Sequence, residues 1–160
     1  MTVGVGDRIP DVRVMTMTAA GPVPVSTSEV LGTGKVVLFA VPGAFTPTCS
    51  DYHLPGFVVR ADDLRAKGVS AVACISVNDA FVMGAWGAAQ GVDDAVLMLA
   101  DGNGEFAAAM GLELDGRGFN MGPRSQRYAA VIEDGVVTHL AVEPGPGLEV
   151  SSADAVLALL

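Results

Sequence analysis

Lys35-Val-Val-Leu-Phe-Ala-Val41, running straight into Pro42-Gly-Ala-Phe-Thr-Pro-Thr-Cys-Ser50, is the stretch on which the fold turns. An unbroken apolar run of this length, ended by Pro42-Gly43, reads as a strand buried on both faces. The residues beyond it, Cys49 to Lys67, have helical spacing in Leu54, Phe57, Val58, Ala61 and Leu64, and stop at Gly68. Pro55 and Gly56 lie inside that helix and are expected to kink it or split it in two. A buried strand therefore feeds a helix, and Cys49 sits where the helix begins. In open α/β sheets the crevice beyond the carboxyl ends of the strands is where ligands bind.

Outward from this unit the same alternation repeats. Val69 to Val77 is a second buried strand, and Asp79 to Gly91 a second helix capped by Asn78 or Asp79. Val96 to Ala100 is a third strand and Glu105 to Gly111 a short helix. Arg127 to Glu133 and Val136 to Glu143 form a hairpin about the Asp134-Gly135 turn. Ser151 or Ser152 caps a last helix that runs to Leu160. The order predicts parallel, right-handed crossovers first and a mixed sheet once the hairpin joins. A thioredoxin-like three-layer α/β/α sandwich has this ordering, though the ordering is not unique to it.

Composition bounds the function. The 160 residues suit a single domain, 1–160. Hydrophobic residues make up 51% and charged residues 17%, so a core can be buried throughout. With 9 Lys and Arg against 18 Asp and Glu the net charge is −9. The pI near 4.4 argues against nucleic acid or an anionic membrane surface as partner. A mean hydropathy of +0.48 raises the question of a membrane span. The longest candidate, Val36 to Ser50, is broken by Pro42 and Pro47 and bounded by Lys35 and Asp51. No signal peptide is visible in MTVGVGDRIPDV, so a cytoplasmic protein with reduced thiols is expected. The 2 cysteines cannot build a disulfide framework or a four-cysteine zinc site. No metal and no cofactor is expected.

The chemistry is expected at Cys49. A cysteine in the first turn of a helix faces unpaired backbone N–H groups and the positive end of the helix dipole, which favour thiolate over thiol. Acidifying a thiol from 8.5 to about 6 multiplies the thiolate at pH 7 only about thirtyfold and makes it a weaker nucleophile. A fast reaction therefore needs further donors aimed at the reacting atoms. Thr46 can point its hydroxyl at the sulfur or at a bound oxygen, and Pro42, lacking an N–H, can shield it. A cysteine hydrolase would need Cys49 paired with His53 or His139 and an orienting residue, and none is evident. A thiol–disulfide oxidoreductase would carry Cys-x-x-Cys, which is absent.

Pro42-x-x-x-Thr46-x-x-Cys49 resembles the active-site motif of the peroxiredoxins. VPGAFTPTCS, HLPGF at 53–57 and CISVNDAFVMGAW at 74–86 resemble the type-II, or peroxiredoxin-five, branch. LADG at 99–102, GLELD at 111–115, RSQRYA at 124–129 and VSSAD at 150–154 carry the similarity along nearly the whole chain. The resemblance implies a thioredoxin fold and a thiol peroxidase acting on hydrogen peroxide and alkyl hydroperoxides. It makes Cys49 the peroxidatic cysteine, which is oxidised to a sulfenic acid. Thr46 becomes the donor to thiolate and substrate oxygen, Pro42 the shield, and Arg127 the arginine completing the site. A guanidinium has five donors in a fixed fork, which suits an oxygen that gains negative charge as it leaves. Arg124 is the nearby competitor, ranked lower because in the family the catalytic arginine directly precedes the aromatic residue.

A sulfenic acid needs a second thiol for recovery. The other cysteine, Cys74, lies in the apolar strand VSAVACISV and reads as a buried strand residue. It could resolve Cys49 only if the helix carrying Cys49 unwinds locally. Animal members of the branch keep a resolving cysteine where this chain has Val150. The resemblance is stronger to plant and bacterial members, which implies glutaredoxin with glutathione, or thioredoxin, as external reductant. It also implies a homodimer. Phe45, His53 and Phe119, and more weakly Met121, are candidates for the substrate mouth. His53 reads more simply as a helix-surface or interface residue, and Trp86 and Phe81 as core or dimer contacts. The same apparatus would also serve a peroxide sensor that does not turn over.

Overall fold

The apolar run forms the strand Lys35–Val41 as expected, and it lies inside a seven-stranded sheet. The computed structural model describes residues 2–160. The strands are β1 (Arg13–Thr18), β2 (Gly21–Ser26), β3 (Lys35–Val41), β4 (Ala71–Ser76), β5 (Leu97–Ala100), β6 (Glu113–Asp115), β7 (Pro123–Ser125), β8 (Tyr128–Glu133) and β9 (Val136–Val142). The helices are α1 (Thr27–Val30), α2 (Leu54–Val59), α3 (Ala61–Ala66), α4 (Ala80–Ala89), α5 (Glu105–Met110) and α6 (Ala153–Leu157). The main sheet has the order β2-β1-β5-β4-β3-β8-β9, and β6 and β7 form a separate small hairpin.

Strands β3, β4 and β5 run parallel, as the helices between them require. The β8–β9 hairpin joins antiparallel to β3 and makes the sheet mixed, turning on Asp134 and Gly135, both at positive φ. Side chains alternate across the sheet and build two cores. Val37, Phe39 and Val41, with Cys74, Ala129 and Val131, pack under Leu54, Phe57, Leu64, Met83, Trp86 and Val156. Val36, Leu38 and Ala40, with Ala73, Ile75, Tyr128 and Ile132, pack against Phe106 and Met110 of α5. This is the thioredoxin-like α/β/α sandwich, with β3 buried on both faces. No helix among the described residues is long and apolar enough to cross a membrane.

Three expectations need correction. The β1–β2 hairpin was not read from the sequence; its outer strand carries Pro22 and Pro24, which an edge strand tolerates because it needs donors on one side only. The helix after Cys49 does not break at Pro55-Gly56. Cys49–His53 forms one π-helical turn, in which Leu54 N–H reaches the Cys49 carbonyl, and the break comes later, at Arg60. Proline cannot donate to the fourth residue before it, so the irregularity appears in the turn just upstream. The last helix is shorter than expected. Ser152, whose hydroxyl accepts from Ala155 N–H, caps it. Asp79 caps α4, accepting from Val82 N–H.

Candidate active site

The site is assembled from three places in the chain. The loop after β3 supplies Thr46, the π turn supplies Cys49 and His53, and the residue before β8 supplies Arg127. Because β8 lies next to β3 in the sheet, residues far apart in sequence meet at one end of two neighbouring strands.

Cys49 is fully buried. Thr46 Oγ1 lies 2.9 Å from its Sγ and 2.7 Å from the Gly43 carbonyl oxygen. One hydroxyl proton thus has two acceptors, so it can turn to the sulfur when that carries charge and to Gly43 when it does not. Arg127 donates from Nη2 to Sγ at 3.1 Å. It is only 8% exposed, which is rare for an arginine and requires its donors to be engaged. Arg124, by contrast, donates to the Met121 and Val77 carbonyls and does not reach the sulfur. Pro42 is half-buried at the end of β3.

His53 departs from expectation. It is neither a surface residue nor part of an open mouth, because it is 0% exposed and both ring nitrogens are used. Arg127 Nη1 lies 2.9 Å from Nδ1, and Nε2 lies 2.8 Å from the Ser151 carbonyl oxygen. A guanidinium only donates, so Nδ1 accepts and Nε2 carries the proton toward Ser151. Burial, with the Arg127 charge assisting, pushes the His53 pKa down to about 4. The imidazole is therefore neutral at pH 7.

The loop of Thr46 has its own support. Asn78 Oδ1 accepts from Ala44 N–H at 3.0 Å and from Ser76 Oγ at 2.6 Å. Next to Ala44, Phe45 adopts φ 65°, a left-handed conformation that costs a non-glycine residue about 1–2 kcal/mol. Phe45 is more than half exposed, with its ring centroid 6.4 Å from that of Trp86. Trp86 is buried and donates to Ser50 Oγ at 2.9 Å, whereas Phe81 is exposed and not part of the core. Phe119 is 84% exposed, on a single 3₁₀ turn, and makes no link to the sulfur. Cys74 lies on β4, fully buried beneath the same layer as Cys49, and burial pushes its thiol pKa well up. Asn78 and Ser151 were expected only as helix caps, which Asp79 and Ser152 are instead, and Glu143 only as a strand end; none was expected at the site. Small polar residues beside strand ends were the available signal, and they are too common to single out. Among the described residues no group of three or more His, Cys, Asp or Glu is placed to hold a metal ion.

A buried sulfur held by a hydroxyl and a guanidinium is equipped to attack an electrophile and stabilise the anion that departs. Comparison with known proteins agrees. The Redoxin family model matches residues 4–157. Peroxiredoxin-2E, chloroplastic, of Arabidopsis thaliana is 49% identical over 163 residues, covering 99% of this chain and 70% of the relative. Peroxiredoxin sll1621 of Synechocystis is 41% identical, covering 96% of this chain and 89% of its own. The structure of reduced Prx3 in complex with h2o2 from Vibrio vulnificus superimposes with a TM-score of 0.95 at 52% identity, covering 99% of each chain. Peroxiredoxin 5 from Alvinella pompejana superimposes with a TM-score of 0.85 at 36% identity, covering 98% of this chain and 96% of its own. The chain belongs to the peroxiredoxins, in their type-II branch, and is a thiol peroxidase.

Proposed function

We propose that the chain reduces hydrogen peroxide and alkyl hydroperoxides with Cys49 as the attacking thiol, Thr46 and Arg127 as its donors, Pro42 as shield, and an external thiol as reductant. The observation that carries this reading is the convergence of Thr46 Oγ1 and Arg127 Nη2 on Cys49 Sγ, at 2.9 Å and 3.1 Å. The Cys49 thiolate attacks the terminal peroxide oxygen. An S–O bond forms, the O–O bond breaks, and the electron pair leaves with the alkoxide or hydroxide, which takes up a proton. Thr46 and Arg127 hold donors against the charge as it shifts from sulfur to oxygen. One external thiol then displaces water from the sulfenic acid and forms a mixed disulfide; a second releases the Cys49 thiol and an external disulfide.

An external reductant is favoured because Cys74 is buried and its thiol resists ionisation, while Val150 stands where a resolving cysteine would be. Glutaredoxin with glutathione, or thioredoxin, fits that need. The same reading puts the protein in the cytoplasm, where such thiols are abundant. Phe45, Phe81 and Phe119, all exposed, favour a homodimer that covers some of them.

Peroxide consumption is measured with glutaredoxin plus glutathione and with thioredoxin, offered separately. Sustained turnover with one of them, abolished by Cys49→Ser, is expected. A single equivalent of peroxide consumed per chain would favour a sensor instead. Failure with both, and with small thiols, would overturn the reading.

A further inference from the structure

Behind the sulfur the hydrogen bonds close into a ring. Arg127 Nη1 donates to His53 Nδ1 at 2.9 Å, and His53 Nε2 donates to the Ser151 carbonyl at 2.8 Å. Ser151 donates to Glu143 Oε2 from its N–H at 2.8 Å and from its hydroxyl at 2.6 Å. Glu143 N–H returns to the Arg127 carbonyl at 2.9 Å. Glu143 thus holds Arg127 twice, directly through the backbone and indirectly through its side chain.

Glu143 is 8% exposed as a residue, and its carboxylate pairs with no cation among the described residues. It gathers backbone donors instead: Glu149 N–H at 3.0 Å, Val150 N–H at 2.9 Å and Ser151 N–H at 2.8 Å. Burial works against its charge, but the Ser151 hydroxyl and these N–H groups outweigh it and hold the carboxyl below its ordinary range. The carboxylate is therefore an anionic clasp on residues 149–151. Exposed loop residues 144–147, Pro-Gly-Pro-Gly, offer no other hold on that return.

We infer that Glu143 is a positioning residue for the peroxide step. It fixes the Ser151 carbonyl, which keeps the His53 proton on Nε2, which leaves Nδ1 free to accept from Arg127 and turns the guanidinium onto Cys49 Sγ. Without the clasp, the N–H groups of 149–151 turn to water and the carbonyl drifts. His53 is then free to carry its proton on Nδ1, donor against donor with Arg127. The kinetic arm of this inference rests on the peroxidase reading; the His53 arm does not.

The test compares wild type with Glu143→Ala and Glu143→Gln, reduced, at pH 7. Nitrogen NMR of labelled imidazole reads the His53 tautomer, and rapid mixing reads the second-order rate with hydrogen peroxide. Wild type is expected to show one neutral tautomer with its proton on Nε2. Glu143→Ala is expected to show a second tautomer and a rate lower by about ten- to a hundredfold, with the KM for reductant unchanged. Glu143→Gln, which keeps an acceptor oxygen, is expected to recover most of both. A folded Glu143→Ala with an unchanged His53 spectrum and rate overturns the inference. Should that variant fail to fold, Glu143→Asp withdraws the charge by one methylene; a second tautomer there supports the inference and an unchanged spectrum overturns it. Wild-type protein inert toward peroxide would count against the peroxidase reading, a failure distinct from any result at His53.

Discussion

Arg127 and His53 share one hydrogen bond, 2.9 Å from Nη1 to Nδ1, and that bond cannot survive protonation of the imidazole. Imidazolium has only donors, and Arg127 has only donors. In the unfolded chain a histidine titrates near 6.5, whereas buried His53 is held down to about 4. Between these values the unfolded chain binds a proton that the folded one refuses. Stability from this residue is therefore complete above about pH 6.5 and is lost as pH falls toward 4, by about 3 kcal/mol in all. Urea denaturation of wild type and of His53→Gln between pH 7 and pH 4.5 checks it. The wild type is expected to weaken more steeply, and parallel curves would refute the assignment.

Thr46→Val keeps the shape of the side chain and removes its hydroxyl. The loss of one donor aimed at developing charge is worth about a hundred- to a thousandfold in rate. Thr46→Ser is expected to retain most of the activity. Arg127→Lys replaces a fork that reaches both Cys49 and His53 with a single ammonium, and a similar loss is expected. Stopped-flow mixing with peroxide measures all three; equal rates for the valine and serine variants would remove the hydroxyl from the chemistry.

Cys74→Ala is expected to leave turnover with an external reductant unchanged. The cost is in packing, about 1 kcal/mol for the lost sulfur, read as a small drop in melting temperature. Serine is the poorer replacement because its hydroxyl would be buried among apolar residues of β4 and its neighbours. A severalfold fall in turnover would restore Cys74 as a resolving thiol.

Gly43→Ala crowds the loop. A Cβ there would lie 3.2 Å from Thr46 Cγ2, 3.3 Å from Met121 Cε and 3.4 Å from Arg124 Nη1. Thr46 must yield by a few tenths of an ångström, and its hydroxyl moves with it. A rate about tenfold lower is expected, with a stability loss of about 1 kcal/mol. Peroxide kinetics and thermal melts on the same sample separate the two effects.

Most of the layered core was legible because β3, β4 and β8 are nearly uninterrupted apolar runs, and the segment from Cys49 to Lys67 keeps a helical period. Pro42, Thr46 and Cys49 were legible because they lie close together in one motif, and Arg127 because in the family resemblance the arginine directly precedes an aromatic residue, here Tyr128. The β1–β2 hairpin was missed because RVMTMT and GPVPVS contain threonine, proline and arginine in place of a continuous apolar run, and β2 is an exposed edge. His53 was misread because its burial depends on Ser151 and Arg127, which arrive from 98 and 74 residues away. Glu143 was invisible for a similar reason: a lone carboxylate after a strand becomes a clasp only when the chain returns to it.

The π turn at Cys49–His53 turns residue count into chemistry. Such a turn is what an α-helix becomes when one residue is inserted without lengthening the rest. Deleting Asp51 or Tyr52, both exposed, would let the segment close into ordinary α-helix. Each α-helical residue advances about 100° around the axis, so Cys49 would swing by roughly that angle against Leu54 and Phe57, which the core holds in place. The sulfur would then face away from Arg127, although every residue that touches it would still be present. Spacing here is as much a part of the catalyst as side-chain identity.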